Sequence, residues 1–180
     1  MVAGRTGQTS EGSHLPQTHA GSSTLDFLQA EAQAELEPAP AELDVSRSIL
    51  LVEDNPGDIR LVREALRRSA IQLRLFIAHD GLEALNLLQR GGRKPDVILL
   101  DLNLPGLDGR AVLRRVKSTP ELSRIPVIVL SSSNAYQDVR NAYDQRANCY
   151  VVKPTDFEAF ERAIRHLVEF WAGLVHLPGE

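Results

Sequence analysis

Five short apolar segments alternate with five amphipathic segments from residue 47 onward, and this alternation restricts the fold more than any other feature. Three of the apolar segments, SILLVE, DVILL and IPVIVL, show no alternation with polar residues, which is typical of parallel strands covered on both faces. The repeat predicts an α/β fold: a flavodoxin-like, doubly wound sheet of five parallel strands, (βα)5, with helices on both faces. The predicted strands are 48–53, 73–78, 96–100, 125–130 and 148–152.

The segments between these strands carry the signals of helices. Pro56 suits a first helical turn, where a missing N–H costs nothing, and Asn55 before it is a natural N-cap. In the second helix, Leu82, Leu85 and Leu88 are predicted to form one apolar side. The predicted helices begin at 56 and span 80–89, 108–117, 135–146 and 155–173.

The composition changes near residue 47. Residues 1–23 are rich in Gly, Ser, Thr and Gln and lack the apolar groups that would offset ordering entropy, so they are predicted to be disordered. Residues 24–37 have the pattern of a short helix, and three interpretations of the extension stay open: a flexible tail, a helix that docks on a partner or second subunit, or a wrongly assigned start site. The predicted organisation is a disordered extension and linker at 1–46, a folded domain at 47–175 and a C-terminal tail at 176–180.

Charge and hydropathy argue against several classes of partner. The net charge is −4, so the chain lacks the basic composition typical of nucleic-acid binding. No apolar run approaches the roughly 20 residues that cross a bilayer, and the N-terminus has no apolar segment typical of a signal peptide. The single cysteine, Cys149, cannot form an internal disulfide. These features predict a soluble cytoplasmic protein without a nucleic-acid or membrane partner.

Charged and hydroxyl side chains stand at the carboxyl ends of the predicted strands. The first strand ends in Glu53 and Asp54, and Asp101 follows the third. Ser131 follows the fourth strand and Lys153 the fifth. In doubly wound folds these strand ends share one edge of the sheet, where ligands bind. Three carboxylates, a hydroxyl and an ammonium are therefore expected to converge there.

Such a cluster has a specific chemistry. Three carboxylates within a few ångströms repel one another and raise each other's pKa, and a hard divalent cation relieves that repulsion. Mg²⁺ prefers about six oxygen ligands and keeps several waters, so one or two carboxylates and a carbonyl suffice. A carboxylate nucleophile, a metal ion and a lysine are the parts that phosphoryl transfer needs.

Four stretches of the chain resemble the receiver domain of two-component response regulators. They are LLVEDNPGD at 50–58, DLNLPGLDG at 101–109, IVLSSS at 128–133 and YVVKP at 150–154. The resemblance covers about residues 47–175, and its specificity comes from four stretches in register at the strand ends. It implies Mg²⁺ as cofactor and a phospho-acceptor that assists its own phosphotransfer and dephosphorylation, rather than an enzyme.

The resemblance also implies roles for individual residues. Asp101 would accept the phosphoryl group, and with Glu53 and Asp54 it would form the acidic metal pocket. The other implied roles are a metal-binding backbone carbonyl at Asn103, a switch hydroxyl at Ser131, a phosphate-pairing ammonium at Lys153 and a rotating aromatic at Tyr150. Serine stands at position 131 where threonine is common in the family, and the hydroxyl is retained.

The signal is expected to pass between proteins. The text DNPGDIRLVREAL, SSSNAYQDV and NAYDQRANCYVVKPTDFEAF is similar to receiver-only regulators, which implies a phytochrome-type sensor histidine kinase as phosphoryl donor. The chain stops soon after the last predicted helix, so output to an unidentified downstream protein is expected. Phe170 and Trp171 are adjacent and cannot both point inward, which favours a homodimer through the fourth helix, the fifth strand and the fifth helix.

Three other functions compete with a phospho-acceptor. A haloacid-dehalogenase-type phosphatase needs a second aspartate two residues after the first, where this chain has Asn103. A nucleotide-binding protein needs a glycine-rich loop after the first strand, where this chain has the acidic EDNPGD. A degenerate receiver that only binds partners is disfavoured because the acidic pocket and Lys153 are both present.

Overall fold

The strands of the protein form one parallel sheet. The computed structural model describes residues 47–177, whose strands pair in the order β2-β1-β3-β4-β5. Every pairing is parallel, which confirms the predicted flavodoxin-like sheet and places the ends of β1 and β3 side by side. The strands are β1 (Arg47–Val52), β2 (Leu73–Ala78), β3 (Val97–Asp101), β4 (Val127–Ser131) and β5 (Cys149–Val152).

Helices follow each strand, and their starts agree with the predictions to within about two residues. Asn55 caps the first helix as expected, because its side chain accepts hydrogen bonds from the backbone N–H groups of Gly57 and Asp58. No helix between residues 47 and 177 is both long and apolar enough to span a bilayer. The helices are α1 (Pro56–Arg67), α2 (Gly81–Gln89), α3 (Gly109–Ser118), α4 (Tyr136–Asp144) and α5 (Phe157–Val168).

Both faces of the sheet are covered, as the apolar strands predicted. Side chains of successive residues in a strand point to opposite faces, so Leu50 and Val52 pack with α2, α3 and α4. Ile49 and Leu51 pack on the other face with α1 and α5. Leu177, the last residue described, is buried in this second layer.

The apolar side predicted for α2 is wrong at Leu82, whose side chain is 62% exposed. The helix instead turns Gly81, Ala84 and Leu88 inward. A Cβ at Gly81 would overlap the carbonyl oxygen of Leu107, so only glycine allows the first turn of α2 to approach so closely. That approach sets the rotation of the helix and leaves Leu82 in solvent.

The last predicted helix, 155–173, is shorter than expected. Helix α5 ends at Val168, and a π-helical turn at Glu169–Leu174 follows, with the N–H of Val175 donating to the carbonyl oxygen of Phe170. This turn packs tightly, since a Cβ at Gly173 would lie 2.8 Å from Cδ1 of Ile71. The predictions for 1–23, 24–37 and 38–46, and the last three residues of the predicted tail, lie outside the described residues.

Arg146 occupies a backbone conformation that normally favours glycine. Its φ is 67°, in the left-handed region, and it follows the end of α4. The N–H of Arg146 donates to the carbonyl oxygen of Tyr143 at 2.8 Å, and the N–H of Ala147 donates to that of Ala142 at 3.0 Å. These bonds close the helix as a C-terminal glycine normally would, at a steric cost to the arginine.

Replacing Arg146 with glycine is expected to raise the free energy of unfolding by about 0.5–1 kcal/mol, because relief of the left-handed strain exceeds the extra freedom that glycine gains in the unfolded chain. Urea denaturation followed by circular dichroism measures this. The control is Arg140→Gly, in the middle of α4. This variant should have a free energy of unfolding about 1 kcal/mol lower than wild type. If the Arg146→Gly variant is no more stable than wild type, the inference of backbone strain at Arg146 is wrong.

Candidate functional site

The ammonium of Lys153 lies among three carboxylates at the carboxyl edge of the sheet. Its Nζ donates to Oε2 of Glu53 at 2.5 Å, to Oδ2 of Asp101 at 2.6 Å and to Oδ2 of Asp58 at 2.8 Å. The sequence predicted that Glu53, Asp101 and Lys153 would meet, and they do. The third carboxylate belongs to Asp58, which was not predicted as a site residue.

Strand pairing positions two of these groups. The N–H of Glu53 donates to the carbonyl oxygen of Ala78 at 3.0 Å, so the pairing of β1 with β2 continues one residue beyond β1. The N–H of Lys153 likewise donates to the carbonyl oxygen of Ser131 at 2.8 Å, which extends the pairing of β4 with β5. Their side chains are therefore aimed by the sheet rather than by a loop.

Asp58 reaches the site from the first turn of α1. An anion is favoured in that turn because it lies near the positive end of the helix dipole. The cap by Asn55 draws that turn back toward the end of β1, because Oδ1 of Asn55 accepts from the N–H groups of Gly57 at 2.8 Å and Asp58 at 3.3 Å. An acidic residue three positions after a cap that directly follows a strand is the signal that could have identified it.

Both oxygens of Asp101 accept hydrogen bonds. Oδ2 accepts from Lys153, and Oδ1 accepts from the backbone N–H of Asn103 at 2.8 Å. Gly109 allows α3 to begin against this strand end, since a Cβ there would overlap the backbone carbonyl of Asp101. The buried carboxylate is thus held at both oxygens.

The charges at the site depend on burial and on hydrogen bonds. Burial alone would lower the pKa of Lys153, but its hydrogen bonds to Asp101, Asp58 and Glu53 outweigh this and raise the pKa above its ordinary value. Glu53 is 1% exposed, and burial raises its pKa although the bonds to Lys153 act in the opposite direction. Lys153 therefore stays an ammonium, and Glu53 is held less firmly as a carboxylate than an exposed glutamate.

The predicted metal ligands are only partly assembled. Asp54 and Asn103 are exposed, and Asp54 makes no hydrogen bond or ion pair with the described residues. Within residues 47–177, no group of three His, Cys, Asp or Glu side chains is arranged to hold a metal ion. Exposed and buried oxygen donors beside one another nevertheless match the ligand chemistry of a hard cation such as Mg²⁺.

The predicted switch residues are Ser131, the last residue of β4, and Tyr150, which lies within β5. Ser131 is buried, and its Oγ accepts from the N–H of Ser133 at 3.2 Å. The hydroxyl of Tyr150, a half-buried residue, donates to the carbonyl oxygen of Ser133 at 2.8 Å. Ser131 and Tyr150 therefore contact the same residue of the β4–α4 loop, which the sequence did not indicate.

Comparison with known proteins gives consistent matches. Residues 49–165 match the family described as the response regulator receiver domain. The chain is 42% identical over 142 residues to the response regulator Rcp1 of Synechocystis sp., covering 76% of this chain and 97% of that protein. Among solved structures, it is similar to the phosphorylated cyanobacterial phytochrome response regulator RcpA and to the Mn²⁺-bound form of Rcp1. In each comparison the TM-score is 0.71 and the identity 43%, with 74% of this chain and 99% of the other covered.

A match across most of the described residues, at this identity, is sufficient to assign the family. The order of the strands and the convergence of acidic residues with a lysine at the strand ends agree with it. The chain therefore belongs to the response regulator receiver domain family, and it is a response regulator of phosphorelay signalling.

Proposed function

We propose that Asp101 accepts a phosphoryl group from the phosphohistidine of a sensor kinase. An oxygen of Asp101 attacks the phosphorus, the new P–O bond replaces the P–N bond, and the imidazole keeps the electron pair. The observation that carries this proposal is the position of the carboxylate, which is buried at the strand end with its oxygens bound by Lys153 Nζ at 2.6 Å and by the N–H of Asn103 at 2.8 Å.

We infer that Mg²⁺ is the cofactor and that Glu53, Asp54, Asp101 and the backbone carbonyl of Asn103 hold it, directly or through water. The oxygen donors and the exposure of Asp54 beside the buried carboxylates support this set. The Mn²⁺-bound form of Rcp1 shows that a relative binds a divalent metal. When bound, the ion neutralises negative charge on the transferring phosphoryl oxygens.

Lys153 and Ser131 are proposed to respond to the new phosphoryl group. The ammonium of Lys153 already contacts Asp101 and can pair with a phosphoryl oxygen with little movement. The hydroxyl of Ser131 is proposed to donate to another phosphoryl oxygen, and Tyr150 to turn as the β4–α4 loop follows. The protein would then act as a phospho-acceptor that assists its own phosphorylation and dephosphorylation rather than as an enzyme.

The proposed phosphoryl donor is a phytochrome-type histidine kinase. Support comes from RcpA, which is described as a cyanobacterial phytochrome response regulator, and from RtBRR, described as a bacteriophytochrome response regulator and 41% identical to this chain. We propose a cytoplasmic protein that signals to a downstream protein, without a nucleic-acid or membrane partner. Its receiver domain would span 47–175, between the extension at 1–46 and the tail at 176–180.

A homodimer through α4, β5 and α5 is also proposed. Tyr143 on α4 is 50% exposed and Val152 on β5 is 41% exposed. Phe170, also half exposed in the turn after α5, packs edge-on against Trp171 with ring centroids 5.6 Å apart. Large apolar groups of this kind on neighbouring elements favour association with a second copy.

Asp101→Asn is expected to abolish phosphotransfer, with incorporation of radiolabelled phosphate falling at least about 100-fold, because the amide is not a nucleophile. Phytochrome-type and unrelated histidine kinases are compared as donors, with and without EDTA. Asp144→Asn, an exposed aspartate on α4, is the control. Label retained by the Asp101→Asn variant would refute the role of Asp101 as phospho-acceptor. Phosphotransfer that is unaffected by EDTA would refute the requirement for a metal ion.

Lys153→Met is expected to lower the free energy of unfolding by about 3–5 kcal/mol at pH 8, because it leaves buried carboxylates without a counter-charge. Burial already raises the pKa of Glu53, and such a carboxyl contributes stability below its unfolded pKa that is lost as pH rises through its folded pKa. Without Lys153 the pKa of Glu53 rises further. The variant should therefore lose more free energy of unfolding than wild type as the pH rises from 5 to 8.

Urea titrations at pH 5 and pH 8 measure this difference. Lys94→Met is the control, because within residues 47–177 Nζ of Lys94 donates only to a backbone carbonyl, that of Arg90, at 2.7 Å. The penalty for Lys153→Met should be clearly smaller at pH 5 than at pH 8. An equal penalty at both pH values would mean that repulsion among the carboxylates is not its cause.

Tyr143→Glu is expected to weaken self-association at least about 10-fold, because it places a charge in the proposed dimer face. Sedimentation at micromolar concentration measures the dissociation constant. Leu82→Glu is the matched control, because Leu82 is similarly accessible on α2, outside that face. A wild-type protein that sediments only as a monomer, or equal weakening by both variants, would contradict this dimer.

A further inference from the structure

The ammonium of Lys153 has three protons and contacts three carboxylates, one for each proton. Nζ lies 2.5 Å from Oε2 of Glu53, 2.6 Å from Oδ2 of Asp101 and 2.8 Å from Oδ2 of Asp58. The proposed reaction uses Glu53, Asp101 and Lys153, but it gives no task to Asp58. The third acceptor of the ammonium is therefore a side chain whose role is open.

Asp58 differs from the other two acceptors in burial and in origin. Its side chain is 23% exposed, whereas those of Glu53 and Asp101 are 1% and 9% exposed. Glu53 and Asp101 lie at the ends of β1 and β3, while Asp58 lies in the first turn of α1. Because water can solvate a partly exposed carboxylate, Asp58 loses less than the buried pair when its contact with Lys153 is broken.

We propose that Asp58 is a positioning residue that acts through Lys153. By accepting the third proton of the ammonium, it weakens the attraction of Lys153 for a phosphoryl group on Asp101. Asp58 thus sets how tightly the site holds that group and takes no part in the transfer itself. The effect on the phosphoryl group rests on the proposed role of Asp101, but the contact between Asp58 and Lys153 does not.

Charge determines the direction of this effect. Lys153 can offer a phosphoryl oxygen the proton that it donates to Asp101, because the new group is attached to that residue. Asp58 still accepts from the same ammonium, and its negative charge lies one hydrogen bond away from the proposed partner of the phosphoryl group. A carboxylate in that position offsets part of the positive charge and repels phosphoryl oxygens. No proton is transferred, and only the acceptors of hydrogen bonds change.

The alternative role for Asp58 is an anchor that orients Lys153 toward the phosphoryl group. The geometry favours competition, because the ammonium already has the two shorter contacts, with Glu53 and Asp101. The backbone of Lys153 is also fixed, since its N–H donates to the carbonyl oxygen of Ser131 at 2.8 Å. A longer and more exposed third contact adds little to this orientation. Loss of a competitor strengthens binding of a phosphoryl group, whereas loss of an anchor weakens it.

NMR of the lysine ammonium groups tests the contact in the full chain, labelled with ¹⁵N-lysine and free of metal. The chain has three lysines, Lys94, Lys117 and Lys153. Asp58→Ala should shift the Nζ signal of Lys153 and speed exchange of its protons at least about 3-fold, because one N–H loses its carboxylate acceptor. The buried ammonium of Lys117, which donates to the carbonyl oxygen of Ile125, should not change. An unchanged Lys153 signal would refute the contact.

Glu158→Gln is the matched control, because Asp58 also lies where the dipole of a helix favours an anion. Glu158 lies in the first turn of α5, and its side chain is 86% exposed. The substitution removes the same charge from the same position of another helix, away from Lys153. It should leave the Nζ signal of Lys153 and the binding of a phosphoryl mimic unchanged, which separates the proposed role from one in helix stability.

Beryllofluoride, which mimics a phosphoryl group on a carboxylate, tests the effect on binding. Fluorine NMR measures binding at Mg²⁺ concentrations that are saturating for each variant, so a change in metal affinity does not contribute. Asp58→Asn and Asp58→Ala should both lower the half-saturating concentration about 3- to 10-fold, because a negative charge beside Lys153 is removed. Asp58→Glu, which keeps the charge, should stay within about 2-fold of wild type.

Several results would overturn this role of Asp58. Weaker binding of beryllofluoride by Asp58→Ala would identify Asp58 as an anchor, and unchanged binding would exclude any influence through Lys153. Equal strengthening by Glu158→Gln or by Asp58→Glu would mean that the local charge of Asp58 is not the cause. If wild type itself does not bind beryllofluoride, the proposed role of Asp101 fails and the role of Asp58 fails with it. Wild-type binding that Asp58→Asn does not strengthen contradicts the role of Asp58 alone.

Discussion

The contact of one ammonium with three carboxylates is the interaction on which the rest of the site depends. Moving Glu53 and Asp101 out of water is costly unless an opposite charge accompanies them, and Lys153 provides it at 2.5 Å and 2.6 Å. Their proximity is imposed by the sheet, because β1 and β3 are neighbours and β5 extends toward them past β4. The parallel strand order thus brings negatively charged side chains together, and the ammonium of Lys153 offsets the cost of burying them.

The same edge of the sheet contains two adjacent groups of hydrogen bonds. One surrounds Lys153 and includes Asp101, while the other surrounds Ser133 in the β4–α4 loop. Ser131 lies between them: its carbonyl oxygen accepts from the N–H of Lys153, and its hydroxyl accepts from the N–H of Ser133. Ser131 therefore contacts both groups, and under the proposed mechanism a phosphoryl group on Asp101 would act on the loop through this residue.

The strand ends could be predicted from the sequence because parallel pairing decides where a side chain after a buried strand must lie. Asp58 could not, because its position depends on how the cap by Asn55 folds the turn after β1. Leu82 was assigned to the wrong side of α2 because periodicity does not reveal how closely Gly81 approaches a distant loop. The contacts of Asp138 with Arg110 and Ser133 were likewise hidden, since Arg110 is distant in sequence and reaches Asp138 only when α3 and α4 pack on the same face of the sheet.

The charge of the site also explains why a divalent cation fits the proposed chemistry. With Lys153 protonated, Glu53, Asp58 and Asp101 still leave the cluster negative, and Asp54 adds to that charge at the surface. Phosphorylation of Asp101 would replace a single carboxylate charge by a phosphoryl group that carries about −1.5 to −2 at neutral pH. Lys153 cannot offset this increase alone, because its ammonium is already shared among three acceptors. A cation held by the exposed oxygens would lower the repulsion before and after transfer, which leaves Lys153 free to follow the phosphoryl group.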